Sequence, residues 1–182
     1  FRSRIKDVRG RIIPGFSEDY ALWIEGLIEL YQVTFNESHI YQAEQLMHWS
    51  LEKFFRSEKG LFGNEPIHQQ KLFADKSDIS DDALPSANAV FAHSLMKLGY
   101  YLGRTEWITL SQSMLLKVSG RFNSFPTGYA HWIELMMYEQ RGLFQLVFTE
   151  KPDQTLRQSL AQQYVPGMVL AVSGKLPLTE GK

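Results

Sequence analysis

A chain of 182 residues with 44% hydrophobic and 21% charged side chains can bury one sizeable core and is neither disordered nor fibrous. Its 19 basic and 20 acidic residues balance to a net charge of −1, with no basic block or basic-aromatic stripe, which argues against a nucleic-acid partner. There is no cysteine, so disulfides, thiolate metal sites and cysteine nucleophiles are excluded; no apolar run approaches the roughly 20 residues that span a bilayer, no signal peptide is visible, and a cytoplasmic protein without a membrane partner is expected.

The first predicted element is a helix over Ser17 to Tyr31. Tyr20, Trp23, Ile24, Leu27, Ile28, Leu30 and Tyr31 recur there at spacings of three and four, with Ser17 as N-cap and Glu18 and Asp19 favoured by the helix dipole. A second helix opens at Glu37-Ser38, carries Ile40, Ala43, Leu46, Met47, Leu51, Phe54 and Phe55 in period, and closes near Lys59-Gly60. Gly60 to Ser80 reads as a long polar loop around Gly63-Asn64-Glu65-Pro66. Further helices are expected from Ser86 to Leu102, from Thr105-Glu106 to about Val118, and from Thr127 to Gln140. Beyond Gly142 the pattern changes to a strand at Leu143 to Thr149, a helix at about Gln154 to Tyr164 and a strand at Met168 to Val172. That order predicts a small βαβ unit. Its first turn, Thr149-Glu150-Lys151-Pro152-Asp153, lacks the glycines of a phosphate loop, so a structural role is expected and no cofactor is implied. The division expected is 1–141 for helical hairpins and 142–182 for the βαβ tail, truncated at its end.

A loosely similar phrase occurs three times. Gly15-Phe16-Ser17-Glu18-Asp19-Tyr20, Leu84-Pro85-Ser86-Ala87-Asn88 and Phe125-Pro126-Thr127-Gly128-Tyr129-Ala130-His131 each run from a turn into a helix with polar residues in its first turn. Stacked hairpins would bring these starts to one end. Glu18, Asp19 and His131 are then the catalytic candidates. Tyr20, Trp23, Ser86, Asn88, Tyr129 and Trp132 are the substrate-binding ones, with Glu18, Asp19 and Asn88 expected in one pocket walled by Trp23 or Trp132. Carboxylates and a histidine beside aromatic faces are what sugar chemistry uses: His131 would move a proton alpha to a carbonyl while Glu18 or Asp19 orients the ring. The same residues also fit structural roles, with Glu18, Asp19 and Ser86 as helix caps and His131 as a core histidine. No metal site is expected, because His93 falls inside a helix and His39, His48 and His68 lie on separate segments without i, i+4 pairing.

Three stretches carry a family resemblance. Gly15 to Ala21 with Ile24-Glu25-Gly26-Leu27-Ile28-Glu29-Leu30-Tyr31 and Thr34-Phe35 is one. Asp81-Asp82-Ala83-Leu84-Pro85-Ser86-Ala87-Asn88-Ala89 with Leu98 and Leu102-Gly103 is another. The last is Tyr164-Val165-Pro166-Gly167-Met168-Val169-Leu170 with Leu176-Pro177-Leu178-Thr179-Glu180-Gly181-Lys182. In this order they resemble the thioredoxin-domain-containing proteins of the YyaL or spermatogenesis-associated type. The resemblance implies a mainly α fold: part of an (α/α) toroid of helical hairpins, six-hairpin glycosidase-like and related to N-acylglucosamine 2-epimerases, with the βαβ tail. It implies a carbohydrate-active or sugar-binding domain of a larger protein, as a sugar epimerase or a glycoside hydrolase-like enzyme, or alternatively an inactive scaffold for protein interaction. Where the family writes Asp-Gly-Ala-x-Pro-Ser-Gly-Asn-Ser, this chain has Asp82, Ala87 and Ala89, so its site differs. A partial toroid would leave an apolar flank, and a homodimer through that flank is expected.

Overall fold

The computed structural model describes residues 5–6, 12–13, 15–67, 78–163 and 165–179. His68, Tyr164 and the closing stretch 180–182 therefore lie outside the described residues. A short antiparallel ladder, β1 (Ile5–Lys6) with β2 (Ile12–Ile13), precedes α1 (Ser17–Thr34) and α2 (Ser38–Phe54). Next come β3 (Phe55–Arg56), β4 (Leu61–Phe62), α3 (Ala87–Leu102) and α4 (Thr105–Ser119). A 3-10 turn at Pro126–Tyr129 leads into α5 (Ala130–Arg141), and β5 (Phe144–Phe148), α6 (Gln154–Ala161) and β6 (Met168–Val172) complete the order before a last 3-10 turn at Pro177–Thr179. The protein is mainly helical, and among the described residues no helix is long and apolar enough to cross a membrane.

The centre of the molecule is α3. Thirteen of its 16 residues are buried, as a helix covered on all sides requires. It packs on α1, α4 and α5, while α2 covers α1. Ser86 starts α3 as predicted, its Oγ accepting the Ala89 N–H at 3.1 Å. Gly103 ends it in a left-handed conformation at φ 65°, which turns the chain into α4. At the start of α1 the expected cap is corrected. Ser17 is already helical and buried, its N–H donating to the Asn64 carbonyl at 3.0 Å, and the capping carboxylate is that of Asp19, which accepts the Phe16 N–H at 2.9 Å. Phe35 closes α1 at φ 55°, rare for a bulky residue, held by edge contacts to Tyr31 and Phe148.

The second helix does not run to Lys59. It stops at Phe54 because Phe55 turns extended and β3 pairs antiparallel with β4, Phe55 opposite Phe62 and Arg56 opposite Leu61. Burial outweighs helical period here: the Phe62 ring stacks on Phe91 at 3.9 Å and is fully enclosed. The Arg56 guanidinium ties the hairpin down by donating to the carbonyls of Phe54 and Glu65. The expected loop thus begins with a hairpin, closed by Gly60 at φ 63°.

The strand-helix-strand order at the end is as expected, with β5 and β6 parallel from Phe144 opposite Met168 to Phe148 opposite Val172. Asp153 caps α6 by accepting the Leu156 N–H at 2.8 Å. The pair packs into the helical core. Val169, Ala171, Leu176 and Leu178 join the same buried cluster as Tyr31 and Tyr101. The Tyr101 hydroxyl donates to the Leu170 carbonyl at 3.0 Å, and the Leu170 N–H donates to Gln32 Oε1 at 3.0 Å.

Candidate functional site

A cavity of about 800 Å³ opens between α1, α3, α5 and the α6–β6 segment. Helical spacing brings its polar groups together. Glu25, Glu29 and Gln32 stand at i, i+4 and i+7 on α1, His93 and Lys97 one turn apart on α3, and His131, Glu134 and Tyr138 at i, i+3 and i+7 on α5. The opposite wall carries Gln154, Arg157 and Gln158 of α6 and Leu170 of β6.

A stacked histidine pair forms the inner end. The rings of His93 and His131 lie 4.1 Å apart at 27°. His93 Nε2 is 2.8 Å from the His131 carbonyl, and since a carbonyl only accepts, Nε2 carries the hydrogen and Nδ1 holds the lone pair. Burial, with the His131 ring second, lowers the His93 pKa to about 3, so its ring is neutral at pH 7. Glu134 lies beside this pair, Oε2 3.5 Å from His131 Nδ1, and its Oε1 accepts the Tyr138 hydroxyl. Those two neighbours hold its carboxyl at about 2, His131 first, against the opposing effect of burial. Burial raises the pKa of Glu25, opposed by His131 and Lys97. Its Oε1 lies 4.0 Å from His131 Nε2, a buried nitrogen with no hydrogen-bond partner. Lys97 is engaged by Glu29 at 2.6 Å.

Of the expected site residues, His131 alone lines this cavity among the described residues. The starts of α1 and α3 are each bonded to the segment around Phe62 and Asn64, Ser17 N–H to the Asn64 carbonyl and Asn88 to Phe62. Asp81 joins α3 to α5: its Oδ1 accepts the Ser86 N–H and its Oδ2 the His131 N–H, both at 2.9 Å. Asn88 is buried with its amide saturated, accepting the Phe62 N–H and donating to the carbonyls of Phe62 and Asp78, so it does not share a pocket with Glu18 and Asp19. Glu18 is exposed, Asp19 caps α1 and Ser86 caps α3. Tyr20 stacks on Trp49 at 4.5 Å, Tyr129 packs on Phe122, and Trp132 is buried with its Nε1–H donating to the Ile79 carbonyl at 2.9 Å. Trp23 is half exposed and lies outside the cavity lining.

Sequence reasoning missed Glu25, Glu29, His93, Lys97 and Glu134. The available signal was a polar row of Glu25, Glu29 and Gln32 flanking the apolar stripe of α1 and a histidine and a lysine one turn apart in the mostly apolar α3. The His93 and His131 rings come from different helices, which a search for pairs along one helix does not find.

No family model matches the chain. It is similar to spermatogenesis-associated protein 20 of Mus musculus, 30% identical over 167 residues that make up 87% of this chain and 21% of that protein. It is also 29% identical over 164 residues to the protein of the same name from Homo sapiens. The likeness fits the spermatogenesis-associated resemblance of the sequence, and the chain spans about a fifth of the length of these curated relatives.

Proposed function

We propose that the cavity between α1, α3 and α5 binds a carbohydrate, and that the chain is a sugar-binding or epimerase-like part of an (α/α) toroid in a larger protein. The observation that carries this reading is the cavity itself. Its volume of about 800 Å³ suits a small sugar. Carboxylates of Glu25, Glu29 and Glu134 and amides of Gln32, Gln154 and Gln158 supply the mixture of acceptors and donors that hydroxyl groups need, with Phe35 and Tyr138 as ring surfaces. His131 is the group to move a proton, its unpartnered Nε2 being 4.0 Å from Glu25. Glu25 takes the orienting role expected of Glu18 or Asp19. The succession of α1–α2 and α3–α4 hairpins, with α3 packed on α1, α4 and α5, supports the toroid reading.

The test is a thermal-shift screen against mono- and disaccharides in the presence of a chelator. Binding to the native state alone raises the melting temperature. A sugar that stabilises the chain, with the shift lost in Glu25→Gln and His131→Gln, is the expected result. Absence of any shift across a broad panel would sink the reading. In that case the scaffold alternative stands. Sedimentation as a dimer would support it.

A further inference from the structure

We propose that His93, His131 and Glu134 form a binding site for one divalent first-row transition metal ion, with Zn²⁺ the closest match to two imidazoles and a carboxylate. One donor atom from each residue lies within 4.8 Å of the others. Two donors bonded to one tetrahedral ion at about 2.1 Å stand about 3.4 Å apart. His131 Nδ1 and Glu134 Oε2 are already 3.5 Å apart. For His93 Nδ1 to reach the same ion, the two stacked rings, now 27° from parallel, have to splay until their in-plane lone pairs converge.

The surroundings match what ligating histidines require, an outward N–H bound to an oxygen that fixes ring orientation. His93 has this bond, from Nε2 to the His131 carbonyl, which leaves Nδ1 for the ion. His131 has the equivalent arrangement in reach. With Nδ1 on the metal, Nε2 carries the hydrogen, and Glu25 Oε1, 4.0 Å away and beyond hydrogen-bond distance as it stands, is the carboxylate that would move in to accept it. Tyr138 donates to the other oxygen of Glu134 and aims Oε2 at the ion. The nearest ammonium, that of Lys97, is occupied by Glu29, and the open side of the cavity leaves room for water as a fourth ligand. Proton transfer through His131 Nε2 and metal ligation through Nδ1 need opposite tautomers, so a bound ion would suppress any turnover that uses His131 as a base.

The inference does not rest on the sugar reading, and its test uses metal alone. Co²⁺ added to the purified, metal-stripped chain is expected to bind at one equivalent with visible absorption that Zn²⁺ abolishes. Zn²⁺ should also move the ring resonances of two of the five histidines in NMR spectra of the unaltered chain. Glu134→Gln and His131→Gln should each weaken Co²⁺ binding by at least about tenfold, and His39→Gln, outside the cluster, should not. Absence of saturable binding, or histidine shifts that exclude His93 and His131, would overturn the proposal. So would Co²⁺ affinity in both cluster variants unchanged from that of the unaltered chain.

Discussion

Tyr101 shows how a buried residue contributes to behaviour at high pH, alongside Tyr20 and Tyr31, whose phenols burial also raises. Burial, then its neighbours Tyr31 and Glu29, raises its phenol well above the ordinary value of 10, while its hydroxyl donates to the Leu170 carbonyl. A group whose folded pKa is raised stabilises fully below the unfolded value and loses that contribution as pH rises beyond it. Stability by urea unfolding is therefore expected to hold up to about pH 10 and to fall above it. Tyr101→Phe should lower stability at neutral pH by about 1 kcal/mol, for the lost hydrogen bond, and flatten the alkaline fall. An equally steep fall in the variant would remove Tyr101 as its cause. At the same scale Asp19, Ser86 and Asn88 stood out in the sequence for sound reasons, being polar residues at helix starts. Their type was legible but their use was not: a cap and a ligand-binding side chain look alike until the neighbouring backbone is seen.

At the scale of elements, the helix periods and the β5–α6–β6 order could be read directly, because one buried stripe per helix repeats every three to four residues. The end of α2 could not, because Phe55 continues that period while its ring is claimed by Phe62. The crossing of α3 and α4 is a further tertiary decision. A β-carbon at Gly99 would lie 2.6 Å from Ile108 Cγ1 and 3.1 Å from the Arg104 carbonyl, whereas one at Gly26, on the exposed side of α1, would meet nothing within 4 Å. Gly99→Ala is expected to destabilise by about 1–3 kcal/mol through overpacking. Gly26→Ala should stabilise by up to about 1 kcal/mol through helix propensity. Denaturant midpoints of the two variants check this, and a shift of the same sign in both would contradict the close crossing.

For the molecule as a whole, the βαβ segment shares its core with the helices. Val169, Ala171 and Leu176 are buried in the same cluster as Tyr31, and Glu37 accepts the Lys175 N–H at 2.7 Å. Calorimetry is therefore expected to give one transition, with calorimetric and van't Hoff enthalpies in agreement. Two transitions would mean that the segment melts separately. The sequence by itself determined the helical class, the number of long helices and the parallel pair, because those follow from local periodicity and capping. The cavity was decided by tertiary packing: Glu25, His93 and the His131–Glu134 pair are far apart along the chain, and their meeting depends on which faces of α1, α3 and α5 turn toward one another. A single sequence carries no direct signal of that choice, since each of these residues taken alone is equally at home on a solvated or a structural surface.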